Sequence, residues 1–363
     1  MHLEAIRLLN FRNIESAELA CGHPRIFLEG PNGQGKTNLL EAVSLFGSLR
    51  SFRTSQRHAL IRNGENEAAI YAMWNHEQQG QTSALIRMTQ KKRSVAIDDQ
   101  PVARMSDFIG RFNSVTMASH DIQIIRGGPS ERRRFLDNLL VSTDAVYMQA
   151  HQKCQLALAE RNKLLKLGKD GAQMKAFDAV WVPSAWTLMQ KRAEAISALS
   201  QVVADVYKVI AQGKEEPGLV YAPNANIETR SFWEMCVSES LQRDQIVGST
   251  QRGPHRDDLK ILINDNPADQ QASEGQQRAL VLALRFAEMQ WILAQTGRQP
   301  ILLADDILTE LDPTRRNQFW KLLGAMPQLQ IIATGTQFPE SEDREKWQAF
   351  EVKEGNYTAM VIQ

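Results

Sequence analysis

Gly30-Pro31-Asn32-Gly33-Gln34-Gly35-Lys36-Thr37 is the stretch on which the fold reading turns. It fits GxxxxGK[ST] without a mismatch. Its surroundings fit too: the apolar run PRIFLEG (24–30) leads into it, and a helical pattern begins at about Lys36. In NLLEAVSLFGSL, Leu39, Leu40, Val43 and Leu45 give that helix an apolar face. Glycines at this spacing let backbone N–H groups turn inward and approach phosphate oxygens, and the helix N-terminus adds a favourable dipole. Lys36 is placed to reach the β- and γ-phosphates of a nucleoside triphosphate, and the Thr37 hydroxyl to ligate Mg²⁺. The expected fold class is therefore α/β.

A second element is Ile301-Leu302-Leu303-Ala304-Asp305-Asp306. Its apolar residues read as a buried parallel strand. Asp305 at its carboxyl end can hold Mg²⁺ through water, and Asp306 can orient or deprotonate an attacking water. Two adjacent carboxylates are costly unless a cation or donor compensates them. Taken alone, the pattern also fits an acidic strand-to-loop turn. Ser273-Glu274-Gly275-Gln276-Gln277-Arg278, upstream of it, reads first as a helix N-cap followed by an amphipathic helix.

Between these elements the chain changes character twice. LEAIRLLNF near the start, then AAIYAMW, TSALIRMT and RSVAIDD between Ala68 and Val102, suggest an antiparallel sheet. From Glu131 to Ala211 the spacing is helical, interrupted at Gly168, Asp170 and Gly171, with Pro183 in the second arm. That is an antiparallel helical hairpin, too irregular in its heptads for an extended coiled coil. A loop is expected at 213–226, then a strand at 257–265, a helix at 274–295 and strands at 301–305 and 330–334. The predicted architecture is a head built from 1–125 and 245–363, with a helical domain, 126–244, inserted.

With 363 residues the chain can bury a core without covalent staples. Lys and Arg number 42, as do Asp and Glu, so attraction to an anionic polymer must come from local clusters. The longest apolar stretch (279–294) is broken by Arg285 and Glu288, so no membrane span and no membrane partner is expected. The first residues lack the pattern of a secretory leader. Cys21, Cys154 and Cys236 form no CxxC and read as reduced thiols of a cytosolic protein.

Seven stretches, in order, carry a resemblance. They are LLNFRN (8–13), GKTNLLEA (35–42), RSFRTS (50–55), GGPSERRRFLD (127–137), GPHRDDL (253–259), SEGQQRAL (273–280) and LADDILTELD (303–312). Together they resemble the RecF family of bacterial recombinational-repair ATPases, related to SMC proteins. The resemblance implies an ABC-type P-loop ATPase head with an inserted helix-hairpin domain. It implies ATP and Mg²⁺ as cofactors, with Lys36, Asp305 and Asp306 catalytic and Thr37 and Asp305 at the metal. Gly30 to Thr37 and Asn38 would bind nucleotide, and Ser273, Gly275 and Gln276 would meet the γ-phosphate held by a second subunit. Glu310-Leu311-Asp312 resembles the D-loop of the same class.

The activity so implied is a weak ATPase that switches a homodimer. The ATP-bound dimer would clamp double-stranded DNA near single-strand gaps and junctions and help load recombinase with RecR, and through it RecO. Cytoplasmic, nucleoid-associated work in DNA repair, recombination, replication and the SOS response follows from the same resemblance. The sequence departs from the family pattern at Ala118-Ser119-His120-Asp121-Ile122, where only Asp121 is kept, so no Q-loop-like role is carried over to that segment. Thr334-Gly335-Thr336 stands where transporter ATPases carry a switch histidine.

Two alternatives remain at this stage: a P-loop kinase, which needs no second subunit's serine, and a transporter-type nucleotide-binding subunit. Basic clusters at Lys91-Lys92-Arg93, Arg132-Arg133-Arg134 and Lys163, Lys166, Lys169 can meet phosphates, and each also reads as solvated surface. Arginines opening a helix oppose its dipole and call for an acidic partner or a phosphate. His255 with Asp257 and Asp258 reads as a charged turn before a metal site. Phe11, Trp181, Trp186 and Trp291 read as packing residues.

Overall fold

A computed structural model of the chain describes residues 1–76, 80–168, 172–211, 215–225, 227–307, 312–326, 328–338 and 344–360. Two compact units emerge, Met1–Asp121 with Glu288–Gln363, and Ile122–Ala287.

The first unit holds two six-stranded sheets. Strands β1 (His2–Phe11), β2 (Ile14–Ala20), β4 (Glu67–His76), β5 (Gly80–Thr89), β6 (Arg93–Ile97) and β7 (Gln100–Pro101) pair antiparallel in the order β2-β1-β4-β5-β6-β7. Alternate residues of β4 are buried, which is why the period-two pattern was readable there. The second sheet contains β3 (Arg25–Glu29), β8 (Ser114–Ala118), β12 (Ile301–Asp305), β13 (Ile331–Gly335), β14 (Gln348–Lys353) and β15 (Asn356–Ala359). Its order is β15-β14-β3-β13-β12-β8, parallel except for β15. Strand β13 lies between β3 and β12, so the glycine-rich loop and the acidic strand finish at the same carboxyl edge, one strand apart. Ligands of open α/β sheets bind at that edge.

Helix α1 (Lys36–Ser48) buries Leu39, Leu40, Val43, Leu45 and Phe46 in a core shared by both sheets. Phe46 meets Trp74 edge to face at 5.5 Å, and Trp74 stacks on Phe112 at 5.0 Å. Phe11 is fully buried in the same core.

The second unit begins with α2 (Gln123–Arg126), α3 (Pro129–Thr143), α4 (Ala145–Lys166) and α5 (Ala172–Ala211). Its sheet is β9 (Pro217–Ala222), β10 (Asp258–Ile263) and β11 (Asn266–Pro267), in the order β11-β10-β9. Helices α6 (Arg230–Val247) and α7 (Ala268–Gln271) complete it. Helix α8 (Glu274–Thr296) crosses the boundary at Ala287, and α9 (Pro313–Gly324) belongs to the first unit.

Several expectations change here. The first arm of the hairpin is two helices, because Asp144 caps α4 with its carboxylate, accepting from the N–H groups of Val146 and Tyr147. Part of the expected 213–226 loop is strand β9, held by six paired positions along β10. Helix α6, capped by the Thr229 hydroxyl and ended by Gly248 at φ 72°, falls where the sequence reading assigned nothing. The compact unit contains 126–244 whole and also takes in 245–287, since β10 pairs with β9. Pro183 stays inside α5, where the Ser184 hydroxyl donates to the carbonyls of Val180 and Trp181. Lys169, Asp170, Gly171, Glu310 and Leu311 lie outside the described residues.

The arginines opening α3 have found acids. Arg132 makes a two-pronged pair with Asp258, at 2.7 and 2.9 Å, and Arg133 donates to the Asp257 carbonyl. These partners answer the conflict with the helix dipole. His255 Nε2 donates to the Thr250 carbonyl, while Asp257 is buried against Arg192, Tyr221 and the Asn224 N–H. Among the described residues no cluster of His, Cys, Asp and Glu could hold a metal by itself.

One cation ties three helices of this unit. Arg161 on α4 donates to Asp178 on α5, to Asp244 on α6 and to the Thr250 hydroxyl, at 2.8, 2.8 and 2.6 Å. Its guanidinium also lies over the Trp181 ring at 5.1 Å. Arg161 and Asp244 are both fully buried. Breaking such a pair strands a charge in low dielectric, at about 3–5 kcal/mol. Arg161→Met should therefore lower the urea midpoint sharply. Arg161→Met with Asp244→Leu should recover much of the loss, and a double variant as unstable as the sum of the singles would show that the pair does not couple.

Candidate functional site

The site of the first unit forms around the turn from β3 into α1. Gly30 admits no side chain, since a Cβ there would sit 2.5 Å from the Val352 carbonyl oxygen. Gly33 and Gly35 take φ of 81° and 117°, conformations that only glycine adopts cheaply. Lys36 is buried, and its Nζ donates to the carbonyls of Gly30 and Pro31 at 2.6 and 2.9 Å. The ammonium thus lies folded along the inside of the loop.

Thr37 lies in the first turn of α1, and its hydroxyl donates to Asp305 Oδ1 at 2.8 Å. Thr334 on β13 donates to the same oxygen at 2.9 Å, while its Oγ1 accepts from the Asp306 N–H at 3.0 Å. One buried hydroxyl therefore holds both members of the carboxylate pair. Asp306 sits at φ 54°, a left-handed conformation uncommon for a residue with a side chain. Burial raises the Asp305 carboxyl above its ordinary value, the Thr37 and Thr334 hydroxyls pull it down, and neighbouring Asp306 adds to the rise. A carboxylate so placed gains from a cation.

A second layer sets the start of α1. Glu41 is fully buried and receives Arg12 at 2.8 and 2.6 Å, together with the Ser51 hydroxyl. Arg53 reaches Glu41 at 3.5 Å and donates to the Asn38 side-chain oxygen at 2.7 Å. Asn38 in turn donates to Asn13, which donates to the Gly33 carbonyl. The motifs LLNFRN, GKTNLLEA and RSFRTS thus meet around one buried carboxylate. On the outer side, β14 and β15 contribute a turn: Glu354 N–H bonds the Gln34 side chain, Gly355 N–H the Gln34 carbonyl, and the Tyr357 hydroxyl the Gly35 carbonyl.

Ser273, Gly275 and Gln276 belong to the other compact unit. Ser273 is exposed at the start of α8, where it and Gln276 cap each other: Ser273 N–H donates to Gln276 Oε1 at 2.7 Å, and Gln276 N–H to Ser273 Oγ at 3.3 Å. Gln276 also donates to Glu215. Buried Gln277 receives Arg126 at 2.6 Å and donates to the carbonyls of Ala268 and Ala272, which fixes the approach to this helix. Asp121 caps the Ala118 N–H at the end of β8.

The structure brings Gly30 through Asn38 together with Asp305 and Asp306. It adds residues that the sequence reading gave no role in the site: Arg12, Asn13, Glu41, Ser51, Arg53, Thr334 and Tyr357. Five of these, Arg12, Asn13, Glu41, Ser51 and Arg53, stand inside quoted motifs, but nothing local marks Thr334 or Tyr357 as partners of the loop.

Residues 2–356 match the RecF/RecN/SMC N terminal domain family. DNA replication and repair protein RecF of Microcystis aeruginosa is 36% identical over 98% of this chain and 99% of its own. The protein of the same name from Acaryochloris marina is 34% identical, over 92% of this chain and 93% of its own. Among solved structures, the recombination mediator protein RecF with ATP, of the RecFOR pathway, superposes with a TM-score of 0.91 at 27% identity, covering 99% of this chain and 98% of that one. The Smc head domain of Pyrococcus furiosus, at 16% identity and a TM-score of 0.57 over 100% of this chain and 96% of that one, shares the fold. The glycine loop, the acidic strand and the capped start of α8 thus sit on an ABC-type ATPase fold, and the chain belongs to the RecF family.

Proposed function

We propose that this chain is an ATP-dependent DNA-binding repair protein whose ATP-bound homodimer clamps double-stranded DNA near single-strand gaps. The observation that carries the reading is the 2.8 Å bond between Thr37 and Asp305, 268 residues apart in sequence. It sets a hydroxyl and a carboxylate, both hard oxygen ligands, beside a turn of phosphate-cradling amides. A kinase or a transporter subunit would share that bond. The RecF relatives, named for DNA replication and repair, favour the repair reading.

In this reading Gly30 through Thr37 and Asn38 hold the triphosphate. Lys36 exchanges its carbonyl partners for the β- and γ-phosphates, which are better acceptors for an ammonium. Thr37 and Asp305 fit Mg²⁺, Asp305 through water, and the ion would neutralise phosphate charge when bound. Asp306 orients the attacking water and takes its proton. Thr334 keeps both carboxylates in place while this happens.

Ser273, Gly275 and Gln276 of one copy meet the γ-phosphate held by the other. ATP then favours the closed dimer by differential binding, since its terminal phosphate touches both copies. Hydrolysis removes that bridge, so slow turnover acts as a release switch. The head in this functional sense comprises 1–125 and 245–363, with 126–244 inserted. DNA clamping and recombinase loading with RecR and RecO, in the cytoplasm at the nucleoid, complete the proposal. Among the described residues no helix is long and apolar enough to cross a membrane.

ATP, with hydrolysis blocked, should shift the elution of the protein from monomer to dimer and raise retention of a gapped duplex, and Lys36→Ala should abolish both effects. Ser273→Arg should bind ATP as the normal protein does yet stay monomeric; loss of ATP binding in that variant would remove Ser273 from the dimer role. Asp306→Asn should slow hydrolysis about 100-fold or more, the range for removing a general base, and prolong the dimer. Full turnover in that variant would move the base to another residue.

A further inference from the structure

We propose that Tyr357 and the β14–β15 turn are positioning residues for the triphosphate: they hold the phosphate-binding loop from outside, so that its amides point inward. The inference rests on the reading that residues 30–37 bind a nucleotide.

The argument begins with the peptide group. In a planar trans peptide, the carbonyl of one residue and the N–H of the next point in opposite directions. Among the described residues there are no cis bonds. Anchoring a carbonyl outward therefore turns the following N–H inward. Three successive carbonyls of the loop are anchored on its outer side. Gly33 O accepts from Asn13 Nδ2 at 3.3 Å, Gln34 O from Gly355 N–H at 2.8 Å, and Gly35 O from the Tyr357 hydroxyl at 2.9 Å. The amides turned inward are those of Gln34, Gly35 and Lys36, a concave nest of the kind that binds anions.

The turn also grips the Gln34 side chain, whose oxygen accepts from Glu354 N–H at 2.7 Å. Gly35 O takes two further bonds from the first turn of α1, from Asn38 and Leu39 N–H at 3.0 and 3.1 Å. Tyr357 thus locks the peptide at the point where loop becomes helix. Burial raises the Tyr357 phenol above its ordinary value, so it remains a neutral donor at physiological pH.

The glycine pattern of the loop carries a trace of the same contact. A Cβ on Gly35 would lie 3.2 Å from Asn13 Oδ1, 3.4 Å from the Tyr357 hydroxyl and 3.5 Å from Gly355 Cα. Gly355, at φ 80°, packs as closely, since its Cβ would lie 3.2 Å from Ile14 Cα. Glycine at 35 is therefore favoured by the close brace outside the loop as well as by its φ of 117°. Tyr357 lies 322 residues from Gly35, on strand β15, and meets the loop through that carbonyl.

Tyr357→Phe deletes the hydroxyl and keeps the ring. One lost hydrogen bond in the cradle should weaken ATP binding about five-fold. Inorganic tripolyphosphate, which has no base or sugar, should weaken by the same factor, because the brace acts on the phosphate cradle. In turnover the KM for ATP should rise by that factor while kcat changes by less. Titration calorimetry of the normal protein, Lys36→Ala and Tyr357→Phe with both ligands makes the comparison, with melting temperatures of the ligand-free proteins alongside.

Unchanged affinities in Tyr357→Phe, with Lys36→Ala defective, overturn the brace and leave the nucleotide reading intact. A loss for ATP but not for tripolyphosphate also overturns it, since the hydroxyl would then serve the nucleoside. So does a lower melting temperature with unaltered KM, the mark of a purely structural bond. Failure of the normal protein to bind either ligand removes the nucleotide reading and the brace together.

Discussion

The hydrogen bond from Thr37 to Asp305 is the contact on which the rest of the first unit depends. It joins the beginning of α1 to the end of β12, and it can form only because β13 separates β3 from β12 by a single strand. Everything else at the carboxyl edge serves that distance. Glu41, a buried residue of α1 paired with Arg12, ties the first turns of the helix to the turn after β1. Thr334 fixes the carboxylate from the other side. Burial raises the Asp305 carboxyl, the Thr37 and Thr334 hydroxyls pull against that, and a bound cation would relieve it further.

The second unit is organised by different physics. Its long helices are joined through buried arginines whose charges are fully committed. Arg161 serves Asp178 and Asp244, and Arg192 serves Asp137 and Asp257. Burial pushes the Asp137 carboxyl up, but Arg192 and bonds from His151 and Tyr147 outweigh it and hold the group well below the usual carboxylate range. Such networks favour one arrangement of helices because any slip strands a charge. The motif GPHRDDL is accounted for here: Asp257 and Asp258 are the acids that receive Arg192, Arg132 and the backbone of 224.

Much of the first unit was legible because its signals are local. Glycine spacing, the apolar run ending at Gly30 and the stripe of Leu39, Leu40 and Val43 locate the loop and its helix, and Ile301 to Asp305 forms a strand as expected. The serine opening α8 was legible as a cap, and it is one. What was missed depends on partners far away in the chain. Strand β9 is short, begins with proline and glycine, and is defined by β10 rather than by its own propensity. The break at Asp144 rests on a single capping residue set inside an otherwise helical pattern. Thr334 and Tyr357 carry no local mark, since their importance comes from Asp305 and Gly35, brought beside them by the fold. The arginine run at 132–134 reads in sequence as solvated surface or as a helix start calling for an acid or a phosphate, and the fold supplies the acid, Asp258.

A structure of the protein with a non-hydrolysable ATP analogue and magnesium tests the central claim most directly. The account predicts a two-fold dimer in which the γ-phosphate lies between the loop 30–37 of one copy and Ser273 of the other. Magnesium should be ligated by Thr37, with Asp305 reaching it through water. A nucleotide held in a monomer, or a dimer in which Ser273 faces away from every phosphate, would contradict it.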